Sequence, residues 1–293
     1  MARSLDCRAT AAVHFDWVER EAAALGRAPR LAVVLFRPKK NPASARYRDL
    51  VVKDAARLGV AVDAREAEDE GSLLAALAAL NADASVDGIL VFHPLHAALK
   101  DEDVMDLVSP LKDVEGLHST NLGYLVKFKR FLDEPRGIKC VVPATAKAVV
   151  KTLQAHPEIP IEGAFAVVIN NSMRVGKPLG LMLENLGATV VKCFDRTPRS
   201  VLEDLARRAD LLVTAVPDPA FRLDPSWVKP GATVVDISYE GNIDAGALTG
   251  RAAFVTAPDD RIGVMTRAMT FVNLIYCAKN EPLRRSATVP ALG

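Results

Sequence analysis

The sequence predicts an α/β protein of two domains, and three observations carry that expectation. Short apolar runs alternate with helical patterns along most of the chain, as in parallel sheets covered by helices. Residues 164–195, AFAVVINNSMRVGKPLGLMLENLGATVVKCFD, read in order as strand, tight turn, helix, strand and acid, the order of a dinucleotide-binding βαβ unit. A length of 293 residues is enough for two domains, each burying a core.

In chain order, residues 10–26 pattern as an amphipathic helix ending near Gly26, followed by a strand over 31–36. Asn41-Pro42 places an N-cap residue before a proline at the first helical position. That helix runs through Tyr47 and Lys53 to a stop at Gly59. A short strand over 60–62 and an Ala/Leu-rich helix over 72–81 follow, with the alanines of 75–82 as helix filler. A third buried strand over 88–92 runs into the loop His93-Pro94-Leu95-His96. A helix over 101–108 precedes the charged turn 112–117, and Cys140-Val141-Val142-Pro143-Ala144-Thr145 opens a helix through Leu153 that links the domains. Strands over 211–215, 233–237 and 254–255 come after the central unit. The last helix, 266–278, is too apolar for a solvated tail and is expected to pack back on the N-terminal domain. Residues 284–293 read as a disordered tail.

Composition narrows the function. Half the residues are hydrophobic, a quarter are charged and the net charge is +1, which recommends neither nucleic acid nor an anionic membrane as partner. The four cysteines are scattered without a C-x-x-C pair, so neither a disulfide framework nor a zinc site is expected. His93 and His96 have no acid or cysteine at ligand spacing, and no metal is expected. No apolar run is long enough to span a membrane. The first 21 residues carry Asp6, Asp16, Glu19 and Glu21 without a continuous apolar core, unlike a signal or transit peptide. A cytoplasmic protein is the simplest reading.

Within the central unit, Phe165–Ile169 is β-branched and apolar enough for a buried parallel strand. Asn170 and Asn171 are turn residues, and Ser172 reads as the helix N-cap. Gly176 and Gly180 lie one helical turn apart among Leu179, Leu181, Met182, Leu183 and Leu186, and Gly187 closes the helix. The second strand, 188–194, ends at Asp195. A pyrophosphate would sit at the helix N-terminus, where free N–H groups and the dipole favour an anion. G-x-G-x-x-G is absent, but Ser172, Gly176 and Gly180 are small where backbone must approach ligand or strand. An ordinary βαβ unit without nucleotide is the alternative. Asp195 favours the nucleotide, because a carboxylate ending the second strand accepts both ribose hydroxyls of NAD and repels the 2′-phosphate of NADP. Lys192 and Arg196 beside it count the other way, since a nearby Arg accommodates that phosphate. Arg174 serves a phosphate or faces solvent, and Asp236 reads as a cap for the turn after its strand.

Six motifs then appear in order: Pro42-Ala43-Ser44-x-x-Tyr47, Gly88-Ile89-Leu90-Val91-x-x-Pro94-Leu95, Lys112-Asp113-Val114-Glu115-Gly116, Cys140-x-x-Pro143-x-Thr145, Ser172-x-x-Val175-Gly176-x-Pro178 and Gly263-x-Met265-Thr266. Together they resemble the methylenetetrahydrofolate dehydrogenase/cyclohydrolase family over roughly residues 30–280. The resemblance implies a folate-binding catalytic domain over 1–143 plus 266–293, a Rossmann-type NAD-binding domain over 144–265, and a homodimer. It implies Tyr47 stacking on the folate as the catalytic residue, with Phe92, His93, Pro94, Leu95, Glu115 and Gly263 around the substrate. Glu115 would bind the amino-pyrimidine edge of the pterin. It implies a cofactor site of Asn170, Asn171, Ser172, Arg174, Val175, Gly176, Asp195, Arg196, Ala215, Val216 and Thr266.

The departures from that family are informative. Bifunctional members carry Lys four residues after the Tyr, where this chain has Val51, and Gln before Leu-Pro-Leu, where it has Phe92 followed by His93. Four residues on a helix leave two side chains about 40° apart, whereas Lys53, six residues on, lies about 240° round. In the family that Lys and Gln are associated with hydrolysis of the methenyl intermediate. Hydride transfer needs positioning rather than a base. The pattern is closest to the monofunctional, NAD-dependent type, and implies oxidation of 5,10-methylenetetrahydrofolate to the methenyl form with cyclohydrolase activity lost. Asp260-Arg261 stands for a family Gly-Gly and recharges the folate and nicotinamide face, which motivates a modified pterin carrier as one alternative. Asn170-Asn171 stands for a Gly-Arg, removing an Arg that would contact phosphate. A non-catalytic folate- or nucleotide-binding paralogue is the other alternative.

Overall fold

The computed structural model describes residues 2–239 and 241–285, and the chain divides into two compact units. Among the described residues, 14–142 and 270–285 form one, and 2–13 with 143–269 form the other. The chain opens with strand β1 (Arg3–Ser4) and helix α1 (Cys7–Ala24).

The unit of residues 14–142 holds β2 (Arg30–Phe36), α2 (Pro42–Arg57), β3 (Ala61–Ala67), α3 (Glu70–Ala82) and β4 (Gly88–Val91). Its three strands form a parallel sheet in the order β3-β2-β4. Leu31 to Phe36 are all buried, as expected of a central parallel strand covered on both faces. β3 runs on to Ala67, beyond the predicted end at Val62. Its polar residues break the apolar pattern but belong to a charged sheet edge: Asp63 pairs with Arg30 at 3.1 Å and Arg65 at 2.7 Å, and Glu66 with Arg48 at 2.5 Å. Charge on an edge strand discourages pairing with another chain.

Beyond β4 come α4 (Asp101–Met105), α5 (Ser119–Val126) and a two-stranded antiparallel pair, β5 (Phe131–Asp133) with β6 (Ile138–Lys139). α4 is shorter than predicted, and neither α5 nor the pair is read from the sequence. The last helix, α9 (Gly263–Lys279), spans the division between units. Its Asn273 amide donates to the carbonyls of Val114 (2.8 Å) and Val142 (3.0 Å). A Cβ on Gly88 would stand 2.4 Å from Val114 Cγ1 and 2.7 Å from Leu274 Cδ1, so only glycine lets β4 sit this close. The end of the chain therefore packs on the sheet of residues 14–142. Arg284 lies in α10 (Glu281–Arg285) and bonds Asp87 at 2.8 Å; the rest of the predicted tail, 286–293, lies outside the described residues.

The other unit holds α6 (Ala144–Gln154), β7 (Phe165–Ile169), α7 (Gly176–Glu184), β8 (Thr189–Cys193), α8 (Arg199–Arg208), β9 (Leu211–Thr214), β10 (Thr233–Asp236) and β11 (Phe254–Val255). The sheet is parallel throughout, in the order β1-β11-β10-β9-β7-β8. β8 lies on one side of β7 and β9 on the other, so the winding reverses at β7, and crevices at such switch points hold ligands.

The first described residues join this sheet, because β1 pairs with β11 through Arg3↔Phe254 and Ser4↔Val255. Two residues carry no readable periodicity. α1 starts earlier than the predicted residue 10 because two carboxylates cap it: Asp6 accepts from Ala9 N (2.8 Å) and Asp260 from Cys7 N (2.9 Å). α8 is also missing from the sequence reading, since Ala206 is its one buried residue.

Candidate active site

A cavity of about 850 Å³ opens at the carboxyl ends of β7, β8 and β9, within the range of small-molecule sites. On the β7 side the wall is Asn170, Asn171 and Ser172. Asn170 Oδ1 accepts from Ser172 N (2.9 Å), Ser172 Oγ (2.8 Å) and Gly176 N (2.9 Å), while its Nδ2 donates to the Ala215 carbonyl at 2.7 Å. One side chain thus shapes the turn, starts the helix and ties β7 to β9. A Cβ on Gly176 would meet the Asn170 carbonyl oxygen at 2.0 Å, which is why this position is glycine. Ser172 is not the N-cap predicted: α7 begins at Gly176 with Val175 at the cap position, and Ser172 Oγ accepts from Val175 N at 3.1 Å.

On the β8 side, Phe194 N donates to Thr197 Oγ1 (3.0 Å) and Thr197 N to the Phe194 carbonyl (2.8 Å). This closed turn holds Asp195, exposed, in the cavity wall. Neither predicted rival stands in that wall. Strand alternation turns Lys192 to the opposite face, where its Nζ would lie 3.2 Å from a Cβ on Gly180 of α7. Arg196 is exposed outside the wall. Cys193 does reach the cavity, but burial pushes its thiol up against the opposing Thr197 hydrogen bond, so it offers no nucleophile at neutral pH.

On the β9 side Val216 lines the cavity, its N–H held by Asn242 Oδ1 at 2.8 Å. Asn242 is fully buried and also accepts from Thr214 Oγ1 at 2.8 Å. Asp236 does more than cap a turn: it accepts from Ser238 N (2.9 Å), Ser238 Oγ (2.6 Å) and Asn242 N (2.7 Å), so it shapes the whole loop. Arg174, Val175, Gly176, Ala215 and Thr266 lie outside the wall. Arg199, Phe221, Arg222 and Trp227 line it and were not read from the sequence. The Arg199 guanidinium rests 5.0 Å from the Trp227 ring. The rule that ligands sit at the switch point between β7 and β9 pointed to the loop after β9, but no motif marked these residues.

The residues fit a dinucleotide. Asp195 is a carboxylate at the end of the second strand, small or amide-bearing residues form the turn, and the cavity sits at the winding reversal.

In the unit of residues 14–142, the predicted substrate residues other than Gly263 cluster at the carboxyl end of the sheet. Tyr47 on α2 meets Phe92 edge to face, with ring centroids 6.1 Å apart. Asn41 sits at the N-cap position of α2 without capping it; its amide donates instead to the Pro94 carbonyl at 3.0 Å. Asp101 holds the same loop, accepting from Leu95 N at 3.0 Å. His93 turns inward: its side chain is 1% exposed, with Nδ1 3.4 Å from Asp101 Oδ2. His96 is exposed. Val51 is fully buried on the core face of α2, and Lys53 is exposed.

The charged turn separates into parts. Lys112 donates to the carbonyls of Leu80 (2.9 Å), Asn81 (2.8 Å) and Asp83 (2.7 Å), closing the end of α3. Buried Asp113 accepts from the N–H groups of Glu115 (3.1 Å), Gly116 (2.9 Å) and His118 (2.8 Å) and from the Asn121 amide (2.9 Å). Burial pushes the Asp113 carboxyl up while these bonds pull it down, and it remains raised. Both residues are engaged in local structure, and Glu115 between Val114 and Gly116 is half-buried.

Asp260 and Arg261 are likewise occupied. Asp260 caps α1, and Arg261 donates to the carbonyls of Pro258 (2.9 Å) and Tyr239. They lock loops of their own unit. Gly263 is exposed at the start of α9. Among the described residues no group of histidines, cysteines or acids could hold a metal ion, and no helix is long and apolar enough to cross a membrane.

Comparison with known proteins bears on the whole chain. Residues 5–115 match the model of the tetrahydrofolate dehydrogenase/cyclohydrolase catalytic domain, and residues 143–282 that of the NAD(P)-binding domain of the same family. The bifunctional protein FolD of Methanoculleus marisnigri is 34% identical over 286 residues, covering 94% of this chain and 96% of that relative. A silkworm 5,10-methylenetetrahydrofolate dehydrogenase structure is 32% identical with a TM-score of 0.84, covering 97% of this chain and all of that one. The NAD-dependent 5,10-methylenetetrahydrofolate dehydrogenase of Saccharomyces cerevisiae, at 24% identity, shares the fold with a TM-score of 0.86 over 96% of this chain and 98% of that one.

Proposed function

The chain belongs to the tetrahydrofolate dehydrogenase/cyclohydrolase family, and on that premise we propose that it oxidises 5,10-methylenetetrahydrofolate to the methenyl form with NAD, without hydrolysing the product. The observation that carries the reading is Asp195 in the cavity wall with Lys192 and Arg196 outside it. A carboxylate there accepts ribose hydroxyls and repels a 2′-phosphate. Loss of hydrolysis is supported separately by Val51, buried where the bifunctional members carry Lys.

When bound, the nicotinamide accepts the hydride. The chain's own residues position the reactants, and no base is required of them. Asp195, Asn171, Ser172 and Val216 hold the dinucleotide. Tyr47, braced by Phe92, stacks on the folate as the catalytic residue, with Pro94 and Leu95 beside it, and Glu115 accepts from the amino-pyrimidine edge. A cytoplasmic homodimer completes the proposal.

NAD is expected to be used at least tenfold more efficiently than NADP, about 1.4 kcal/mol of discrimination. Asp195→Ser should narrow the gap. The check is kcat/KM for both cofactors, and parity in the wild type would overturn the assignment to NAD.

Glu115→Gln is expected to weaken folate binding about tenfold and leave NAD binding unchanged. The carboxylate makes charge-assisted bonds to two donors, whereas an amide offers one acceptor and one misplaced donor. Titration of each ligand separately reads this. Equal loss of both would mean a folding defect, and loss of neither would return Glu115 to the protein surface.

A further inference from the structure

We infer that the end of α5 and the strand pair after it form a docking tip for an anionic lipid surface. Phe128 enters the acyl boundary there, and Lys127, Lys129, Arg130 and Lys139 meet the headgroup phosphates. None of these side chains lines the cofactor cavity.

α5 stops in a Schellman motif, with Phe128 N donating to the Leu125 carbonyl at 3.0 Å and Lys129 N to the Tyr124 carbonyl at 2.9 Å. The motif holds Phe128 at φ 51°, the left-handed position that glycine usually fills, where a bulky side chain is strained. Burial does not compensate, because Phe128 is 54% exposed and Val126 62%. Phe194, at 42%, is the other exposed phenylalanine among the described residues, and it lines the cofactor cavity. A strained aromatic held out to solvent adds nothing to the core, which points to a use outside the fold.

The charge around the ring names the partner. Residues 126–139 carry five cations, Lys127, Lys129, Arg130, Arg136 and Lys139, against Asp133 and Glu134. That is a net +3 in a chain whose total is +1, so the overall balance conceals a local basic patch. Asp133 is spent on Arg136, at 3.4 Å. Lys127, Lys129 and Arg130 are exposed and have no ion-pair partner among the described residues. Lys139, also exposed, is the register partner of Phe131 across the β5–β6 pair, which brings it back beside Arg130.

Residues 126–130 are all exposed, so the patch is a projecting tip, whereas a bound peptide lies in a groove or along a sheet edge. Val126 offers a nucleic-acid base nothing to stack on, but beside Phe128 it adds apolar area to an acyl layer. An anionic bilayer answers both parts of the surface, with phosphates for the cations and hydrocarbon beneath them for the ring.

The test is cosedimentation of the full chain with vesicles of phosphatidylcholine alone and of phosphatidylcholine and phosphatidylglycerol in equal parts. The mixed vesicles should bind at least about tenfold more tightly, and added salt should weaken them. Lys127→Glu and Arg130→Glu should each cost about tenfold, whereas Lys53→Glu, a matched reversal at an exposed site on α2, should cost less than about twofold. Phe128→Gly should weaken binding at least about threefold and leave the urea midpoint at or above the wild-type value, because glycine takes the left-handed position without strain. A lower midpoint would give Phe128 a structural role and overturn the inference. Equal binding to both vesicles, an equal loss in Lys53→Glu, or no binding would overturn it too. So would retention on polyuridylate, or self-association that needs Phe128, in a chain that ignores the mixed vesicles.

Discussion

Asp87→Asn is expected to lower stability by about 3–5 kcal/mol, the loss seen when one partner leaves a buried ion pair. The Asp87 side chain is fully buried. Arg27 grips both its oxygens at 2.6 and 2.7 Å, Arg284 adds a bond at 2.8 Å and the Arg30 N–H another at 2.9 Å. An amide of the same shape keeps some of these contacts but leaves two guanidinium groups facing a neutral partner. Arg27 is 39% exposed and finds water, whereas Arg284 at 10% does not. Most of the cost therefore falls on Arg284, which fastens α10 to the sheet.

The same carboxylate gives the loss a pH signature. Burial pushes Asp87 up, but the Arg27 hydrogen bonds, the Arg30 N–H and the two arginine charges outweigh it, holding the group below its ordinary value of 3.8. On acidification the unfolded chain takes up this proton first. The stabilisation is complete above the unfolded value and is lost as pH falls through the lower folded value. Urea midpoints at pH 7, 4 and 3 should therefore fall less steeply in Asp87→Asn than in the wild type. A variant within 1 kcal/mol of wild type at pH 7, a bound well under the ~3 kcal/mol floor for a broken buried pair, would show that the cluster adds little.

Much of this architecture is legible in the sequence because apolar patterning reports burial directly. Leu31 to Phe36 and Phe165–Ile169 could be little else than buried strands, and the acid after β8 announced the site. The missing parts share a physical cause. β3 is an edge whose outer residues are charged, and α8 buries a single alanine, so neither shows a clean period. The misjudged roles belong to polar residues whose partners are distant in sequence. Asp260 caps a helix that begins at Cys7, and Asn41 reaches Pro94 rather than its own helix. Lys112 and Asp113 look like site charges but are spent on the end of α3 and on their own turn. Asn170 reads as a turn former, and only its four hydrogen bonds reveal that the helix terminus behind it is closed.

The methenyl product is expected to decay no faster with the enzyme than in buffer. Hydrolysis requires a group that activates water and moves protons near the folate. Val51 has no proton to give and is fully buried, one turn after Tyr47, whose ring meets that of Phe92. Lys53 is exposed and lies on another face of α2. His93 would be the substitute to suspect, but its side chain is 1% exposed and turned to Asp101. Hydride transfer survives these losses because it depends on how two ring systems are held and not on a base. The measurement is decay of methenyltetrahydrofolate absorbance with and without enzyme, at a pH where spontaneous hydrolysis is slow. Enzyme-dependent decay would sink the proposal and turn attention to His93, with His93→Phe as the next variant. Val51→Lys alone should not restore hydrolysis. An amine placed among the buried residues of α2 loses its charge to desolvation, and Phe92 offers it no hydrogen bond.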